Sequence, residues 1–245
     1  MLKQIEDRIA RRHWTARTGS SVKTRHWWTS PRLAAHYSRR VCGEGLIPYA
    51  AGAVRALQDR YPGRVFARAV SVGCGNASKE IRLLEAGLVE QIDLFEISGT
   101  RIAQGQALLA QKGLAARAQF YDDDVFARDL DGYYDLVFWS HSLHHMMDVR
   151  AAVAWSRRVL RPCGVLVIDD YVGPSRLQWT PAQVDAANDF IGEIATQADR
   201  PLARMRRATS LGRARMYLKD PSEAPQSHMI QDACRHELDG FQLTS

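Results

Sequence analysis

Residues 69–80 read Ala69-Val70-Ser71-Val72-Gly73-Cys74-Gly75-Asn76-Ala77-Ser78-Lys79-Glu80, and twenty-one residues after Gly75 the apolar pair Leu94-Phe95 ends in Glu96. A short apolar run closed by glycines suits a strand buried on both faces, as in a parallel sheet. Gly73 and Gly75 allow a tight turn and a close backbone approach where a ligand meets the strand's carboxyl end. Glu96, at the tip of the next strand, has the chemistry to accept both hydroxyls of a ribose. The pairing points to a nucleotide cofactor.

The third glycine position separates two cofactor classes. A dinucleotide fingerprint, Gly-x-Gly-x-x-Gly, admits a pyrophosphate at the start of the helix, and here Ser78 stands in third place. With its apolar strand, Gly-Cys-Gly turn and acidic strand end, the sequence resembles instead the class I S-adenosylmethionine-dependent methyltransferases. The resemblance runs in order over residues 69–170. Phe120-Tyr121-Asp122-Asp123-Asp124-Val125 resembles the third strand and its loop, where a family carboxylate binds the adenine amine and an apolar neighbour packs on the ring. Asp124 with Val125 matches that pattern best, and Asp123 is the alternate. Tyr134-Asp135-Leu136-Val137-Phe138-Trp139-Ser140-His141-Ser142-Leu143-His144-His145 is similar to the fourth strand and Leu-His-His turn of many small-molecule members. Residues 159–170, ending Val167-Ile168-Asp169-Asp170, are similar to their helix end, Pro-x-Gly turn and fifth strand. The branch most resembled serves bacterial polysaccharide and secondary-metabolite pathways, a likeness clearest in residues 25–45 and 169–180.

The resemblance implies an α/β fold: a doubly wound, mostly parallel Rossmann-like sheet with a helical N-terminal cap. It implies S-adenosyl-L-methionine as cofactor and S-adenosyl-L-homocysteine as product. The cofactor would be held by Gly73, Cys74, Gly75, Asn76, Glu96, Ile97, Asp123, Asp124, Val125, Ser140 and His141. Expected strands lie near 68–72, 91–95, 117–121, 134–139 and 164–169, with helices near 77–86, 99–112 and 148–160. The expected divisions are a cap or lid over 1–64, the cofactor core over 65–180, and a C-terminal helix with a substrate-side extension over 181–245. Ser30 and Pro31 suit the start of a helix reaching Val41, Ile47–Arg60 suits another, and Thr180 with Pro181 suits one over 180–200. Leu2, Ile5 and Ile9 at helical spacing fit an amphipathic helix over 1–18. The family's antiparallel sixth and seventh strands have only two short candidates, Met216-Tyr217-Leu218 and Phe241-Gln242-Leu243-Thr244.

The formal charge of +6 is uneven: residues 1–68 carry 14 Lys/Arg against 4 Asp/Glu, so the remainder is net acidic. A second basic group is Arg204, Arg206, Arg207, Arg213 and Arg215. Either segment reads as a solvated face or as a lid that selects an anionic acceptor; no Lys/Arg run is uninterrupted and no RNA-binding signature is present. Nucleic acid is therefore not the expected partner, and no Asn/Asp-Pro-Pro-aromatic motif for a flipped base follows the fourth strand. Arginines interrupt residues 1–20, which excludes a signal or spanning stretch there and leads to a cytoplasmic, membrane-free expectation, with a homodimer left open. Cys42, Cys74, Cys163 and Cys234 lie too far apart in sequence for a Cys-x-x-Cys pair, so reduced thiols are expected.

Methyl transfer from a sulfonium is an in-line displacement with its leaving group already activated, so positioning and water exclusion dominate. A hydroxyl or amine acceptor benefits from a base, and His suits neutral pH. His141, His144 and His145 cluster after the fourth strand and are the candidates, each against a plain packing role; Tyr171 is the fourth catalytic candidate. As metal ligands the three imidazoles, with Asp148 nearby, are the weaker reading, and no metal is expected. Asp170 either touches acceptor or base or caps the following loop. Residues 172–179, ending in Trp179, supply donors and an aromatic platform for a small-molecule or saccharide acceptor, with Trp27 and Trp28 opposite. The alternatives are an RNA or protein methyltransferase and a cofactor-binding protein without catalysis.

Overall fold

The computed structural model describes residues 30–48, 50–197, 207–209 and 212–243. The readings placed on residues 1–18, Trp27, Trp28, Arg204 and Arg206 lie outside the described residues.

Among the described residues two helices come first, α1 (Pro31–Cys42) and α2 (Ala50–Arg60), packed on each other. Pro31 takes the first turn of α1, where its missing N–H costs nothing; Ser30 stands at the cap position without a side-chain bond to the helix. Gly43 ends α1 at φ +79 and donates its N–H to the Arg39 carbonyl, the left-handed close that glycine makes cheaply. The expected helix over 47–60 is shortened at its start: residues 47 and 48 precede α2 rather than joining it.

Strands and helices then alternate: β1 (Phe66–Val72), α3 (Glu80–Glu85), β2 (Val89–Phe95), α4 (Gly99–Gln111), β3 (Ala118–Tyr121), β4 (Tyr134–Ser140), α5 (Val149–Val159) and β5 (Leu160–Asp169). The five strands pair in the order β3-β2-β1-β4-β5, every pair parallel. Between β1 and β4 the winding reverses, and the crevice outside the strand ends at that point is where an open α/β sheet receives a ligand.

Alternation sorts the core into two layers. On one face Ala69, Leu94, Leu136 and Phe138 pack with Ile81, Leu83 and Leu84 of α3. On the other, Val70, Val72, Val137 and Trp139 meet Val153 and Trp155 of α5 and Ile230 and Ala233 of a C-terminal helix. Trp139, fully buried, donates its indole N–H to Ser156 Oγ at 2.9 Å, which satisfies the one polar atom its ring takes inside. Asp148 caps α5 by accepting the Ala151 N–H at 2.9 Å. It serves the helix rather than the histidines before it.

The fifth strand begins at Leu160, four residues ahead of the expected start. Tyr134 pairs with Leu160 and Leu136 with Val165, so β5 carries extra residues in between, and Cys163 there has φ +64. The Pro162 ring belongs to this irregular stretch, where a ladder hydrogen bond is dispensable.

Helices α6 (Pro181–Gln197), α7 (Arg213–Lys219) and α8 (Ile230–Glu237) follow, α8 packing on α5. Met216-Tyr217-Leu218 therefore belongs to a helix and not to a strand. A three-residue apolar run does not by itself separate the two, and the surrounding Arg, Ala, Leu and Lys are strong helix formers. Phe241, Gln242 and Leu243 pair with no strand, and Thr244 is outside the described residues. Among the described residues the sheet has five strands, and no helix is long and apolar enough to cross a membrane. The four cysteines are free thiols.

Glu80, at the first turn of α3, is buried, and its Oε1 accepts the Ser71 hydroxyl at 2.7 Å. Burial pushes its carboxyl above the ordinary value, against Lys79 and the Ser71 bond. Below about pH 4.3 the group is protonated in both folded and unfolded chains; as pH rises through the raised folded value, the unfolded chain loses its proton first and stability falls. Glu80→Gln removes that titration. The melting temperature of the variant relative to the parent should climb from pH 4 to pH 8, and a pH-independent difference would show that Glu80 carries no such cost.

Candidate active site

At the carboxyl end of β1 the chain turns through Gly73 and Gly75, at φ +67 and +62. A Cβ on Gly73 would stand 2.9 Å from the Ser142 Cβ. That contact ties the β1 turn to the turn after β4, and any side chain there would force them apart. Cys74 between the glycines is buried, its thiol pushed well up by burial and by the nearby Glu80 and Glu96 carboxylates. It is a packing residue, not a thiolate nucleophile.

Glu96, 7% exposed, sits at the tip of β2. Its two oxygens accept the Gly75 N–H and the Ser98 N–H, both at 2.8 Å. Each carboxylate oxygen has a second lone pair, so the group is fixed in position and still able to accept two hydroxyls. Beyond it Ile97 is exposed, and Asn76 Oδ1 takes the Ser78 N–H at 3.3 Å.

The third-strand carboxylates divide. Asp123 forms a paired contact with Arg128, both bonds 2.9 Å, and that guanidinium lies 4.0 Å over the Tyr121 ring. Asp124 is exposed and accepts the Phe126 N–H at 3.0 Å, turning the chain so that Val125 is buried. Of the two, Asp123 is the more committed to its neighbour.

The turn after β4 is set by β5. Asp169 accepts the His141 N–H through its carbonyl at 2.8 Å, and His141 takes φ +54. Asp170, whose side chain is wholly buried, directs Oδ2 to the N–H groups of Ser142, Leu143 and His144, at 3.0, 2.7 and 3.3 Å. Its Oδ1 meets the His144 Nδ1 and the Tyr171 N–H, the latter at 2.7 Å. Burial alone would raise the Asp170 carboxyl, but the His144 bond and charge and the Tyr171 N–H hold it below the usual value. Both sequence readings of Asp170 are thus partly met: it touches a candidate base, and the segment it caps is mainly the preceding turn.

The three histidines have different surroundings. For His144, burial disfavours the charged ring, yet the Asp170 bond, the Asp170 charge and Glu223 outweigh it and lift its pKa. Its Nε2 lies 3.8 Å from Glu223 Oε1. The His145 ring lies against His144 tilted by 42°, with ring centroids 3.9 Å apart, and its Nδ1 faces the Ser222 carbonyl at 3.0 Å. Burial first and His144 second push its pKa down to about 4. Burial also lowers His141, with Asp169 opposing; its Nε2 is 3.9 Å from Asp169 Oδ1. Ser140, buried, lends its carbonyl to the Lys79 ammonium at 2.5 Å.

Tyr171 and Trp179 form the outer wall. The Tyr171 ring meets His144 edge-on at 6.4 Å and Trp179 at 5.9 Å, and its hydroxyl, pushed up to about 12 by burial and Glu223, donates to the Pro174 carbonyl at 3.1 Å. Trp179 is 39% exposed. Arg176 and Leu177 between them hold left-handed φ values of +57 and +51, local strain of the kind held at binding sites by surrounding bonds. Those bonds are here: Arg176 gives its N–H to the Ala224 carbonyl at 2.6 Å and its guanidinium to the Pro221 carbonyl.

Sequence reasoning therefore missed the 220–226 segment. Asp220, Ser222 and Glu223 reach the histidine turn from more than seventy positions away, and no local spacing signals such a contact. Of the basic group, Arg207, Arg213 and Arg215 are exposed.

Comparison with known proteins accords with this geometry. A family model described as a methyltransferase domain matches residues 70–168. The chain is 29% identical over 147 residues to the 27-O-demethylrifamycin SV methyltransferase of Amycolatopsis mediterranei (strain S699), covering 58% of this chain and 52% of that protein. It thus spans about half the length of the curated relative it matches. Solved structures with some likeness include a methyltransferase from Geobacter sulfurreducens in complex with S-adenosyl-L-homocysteine (17% identity, 47% of this chain and 46% of that one, TM-score 0.41). Another is the YcgJ protein of Bacillus subtilis (15% identity, 76% and 83%, TM-score 0.46). Residues 70–168 thus match a methyltransferase domain of the kind that uses S-adenosylmethionine, carried here on a doubly wound parallel sheet.

Proposed function

We propose that the chain methylates an oxygen or nitrogen of a small-molecule or saccharide acceptor, with His144 as general base and Asp170 as the group that positions it. The observation that carries this reading is the His144–Asp170 pair: with Nδ1 engaged by a carboxylate, the ring is the tautomer whose Nε2 lone pair faces away from Asp170 toward Glu223 and the Tyr171 wall. An acceptor hydroxyl placed against Nε2 would lose its proton there, and Asp170 would stabilise the imidazolium that results.

S-adenosylmethionine supplies a methyl group on a sulfonium, already activated for displacement, and leaves as S-adenosylhomocysteine. The chain's own residues bind and orient it. Glu96 would accept the ribose hydroxyls, Gly73, Cys74, Gly75 and Asn76 would line the methionine end, and Asp124 with Val125 would meet the adenine. Asp123 is given a lesser role because Arg128 already holds it. Ile97, Ser140 and His141 would complete the rim. Tyr171 and Trp179 offer an aromatic face for a sugar ring or a planar acceptor. The name of the Amycolatopsis relative supports a small-molecule acceptor.

Two measurements test this. Calorimetry with S-adenosylhomocysteine should show that Glu96→Ala weakens binding roughly ten- to hundred-fold, the loss of about 1.5–3 kcal/mol expected for hydrogen bonds to a charged group; an unchanged affinity would reject the ribose assignment. Transfer of labelled methyl from S-adenosylmethionine should be screened on hydroxylated small molecules and saccharides, with RNA and protein as contrasts. On the acceptor found, His144→Gln should lower turnover by about 10²–10⁴-fold with S-adenosylhomocysteine affinity nearly constant. Transfer to RNA or protein alone, or full turnover in the variant, would overturn the reading.

A further inference from the structure

Beside the proposed base lies a second group of polar side chains, on its Nε2 side. His145 follows β4, whereas Asp220 and Glu223 come from the segment between α7 and α8. One ligand atom from each, an imidazole nitrogen and two carboxylate oxygens, lies within 4.8 Å of the others.

Three features go beyond proximity. The His145 Nδ1 faces the Ser222 carbonyl at 3.0 Å, and a carbonyl only accepts, so Nδ1 carries the hydrogen and Nε2 the lone pair. An imidazole oriented by a backbone carbonyl in this way is the arrangement that metal-ligating histidines show. Asp220, 3% exposed, is fixed through Oδ1 by the Ser222 N–H at 3.0 Å and the Ser222 hydroxyl at 2.6 Å. Ser222 thus holds both ligands at once, with its carbonyl on His145 and its N–H and hydroxyl on Asp220. The segment is anchored from outside by the Arg176 guanidinium, which donates to the Pro221 carbonyl.

We propose that His145 Nε2, Asp220 and Glu223 bind a divalent transition ion, zinc or manganese(II). One imidazole with two carboxylates is a donor set shared by these ions. Ligand bonds of about 2.0–2.2 Å require the three atoms to draw somewhat closer, and the long Glu223 side chain has the rotamers to do so. Three protein ligands leave coordination positions for oxygen atoms of solvent or acceptor. Because Glu223 also lies 3.8 Å from His144 Nε2, the ion would stand next to the proton-accepting nitrogen and suit an acceptor with two neighbouring oxygens, such as a vicinal diol. The ion site does not depend on the acceptor reading and is tested without acceptor or cofactor.

The full chain, stripped with a chelator, is titrated with manganese(II) chloride and free ion is counted by electron paramagnetic resonance; zinc chloride is followed by calorimetry and by competition with manganese. One ion per chain is expected. Glu223→Gln and His145→Gln should each weaken it by at least about tenfold, while circular dichroism shows the fold retained. If His145→Gln does not fold, Glu223→Gln alone decides. No stoichiometric binding of either ion at millimolar concentration, or binding unchanged in Glu223→Gln, would overturn the proposal.

Discussion

Asp170 is the constraint on which the reacting end of the molecule depends. An ionised carboxylate with no exposure is costly to bury unless its oxygens are occupied, and here five donors meet it: three consecutive N–H groups of the β4 turn, the Tyr171 N–H and the His144 ring. The arrangement works in both directions. The turn supplies the donors that make the charge tolerable, and the charge fixes the turn in a shape that includes a left-handed His141. Without it, neither the direction of the His144 ring nor the approach of Ser142 to Gly73 would be specified.

Glu96 has the corresponding role at the tip of β2, with a different balance. It takes two backbone N–H groups where Asp170 takes four and an imidazole, so its oxygens keep acceptor capacity toward the crevice. The two carboxylates end β2 and β5, on either side of the β1/β4 reversal. One is nearly saturated and fixes the His144 ring; the other is held but unsaturated and keeps acceptor capacity toward the crevice. Residue type is the same in kind, and the number of protein donors separates the roles.

The features of this arrangement legible in the sequence are those whose cause is local. Apolar runs closed by Gly73-Cys74-Gly75 and by Glu96 read directly as parallel strands with a ligand at their ends, and the observed strands keep that order with no boundary off by more than four residues. The Met216–Leu218 misreading has an equally local origin, since three apolar residues satisfy either period. What could not be read was contact across distance. His144 and His145 looked equivalent in the sequence; they differ because one ring meets Asp170 and the other meets Ser222, contacts spanning 26 and 77 positions. Asp124 and Asp123 were first choice and alternate on motif alone, and the contact that separates them physically, Arg128 on Asp123, is visible only in the structure.

That division follows the architecture. The end at Gly73, Gly75 and Glu96 is built from consecutive strand tips, so its chemistry is written in short motifs. The histidine end is assembled from pieces that the sheet only gathers: Tyr37 of α1 donates to Asp169 Oδ1 at 2.6 Å, the loop of Tyr171 and Trp179 follows β5, and residues 220–226 return beneath the histidines. Each piece makes one or two polar bonds to β5 or the β4 turn. Such segments can change in length and composition without disturbing β1 and β2. The turn at Gly73 and Gly75 and the Glu96 carboxylate can therefore stay as they are while Trp179, Glu223 and the α1 face are remodelled, the pattern by which one fold comes to serve different chemistry.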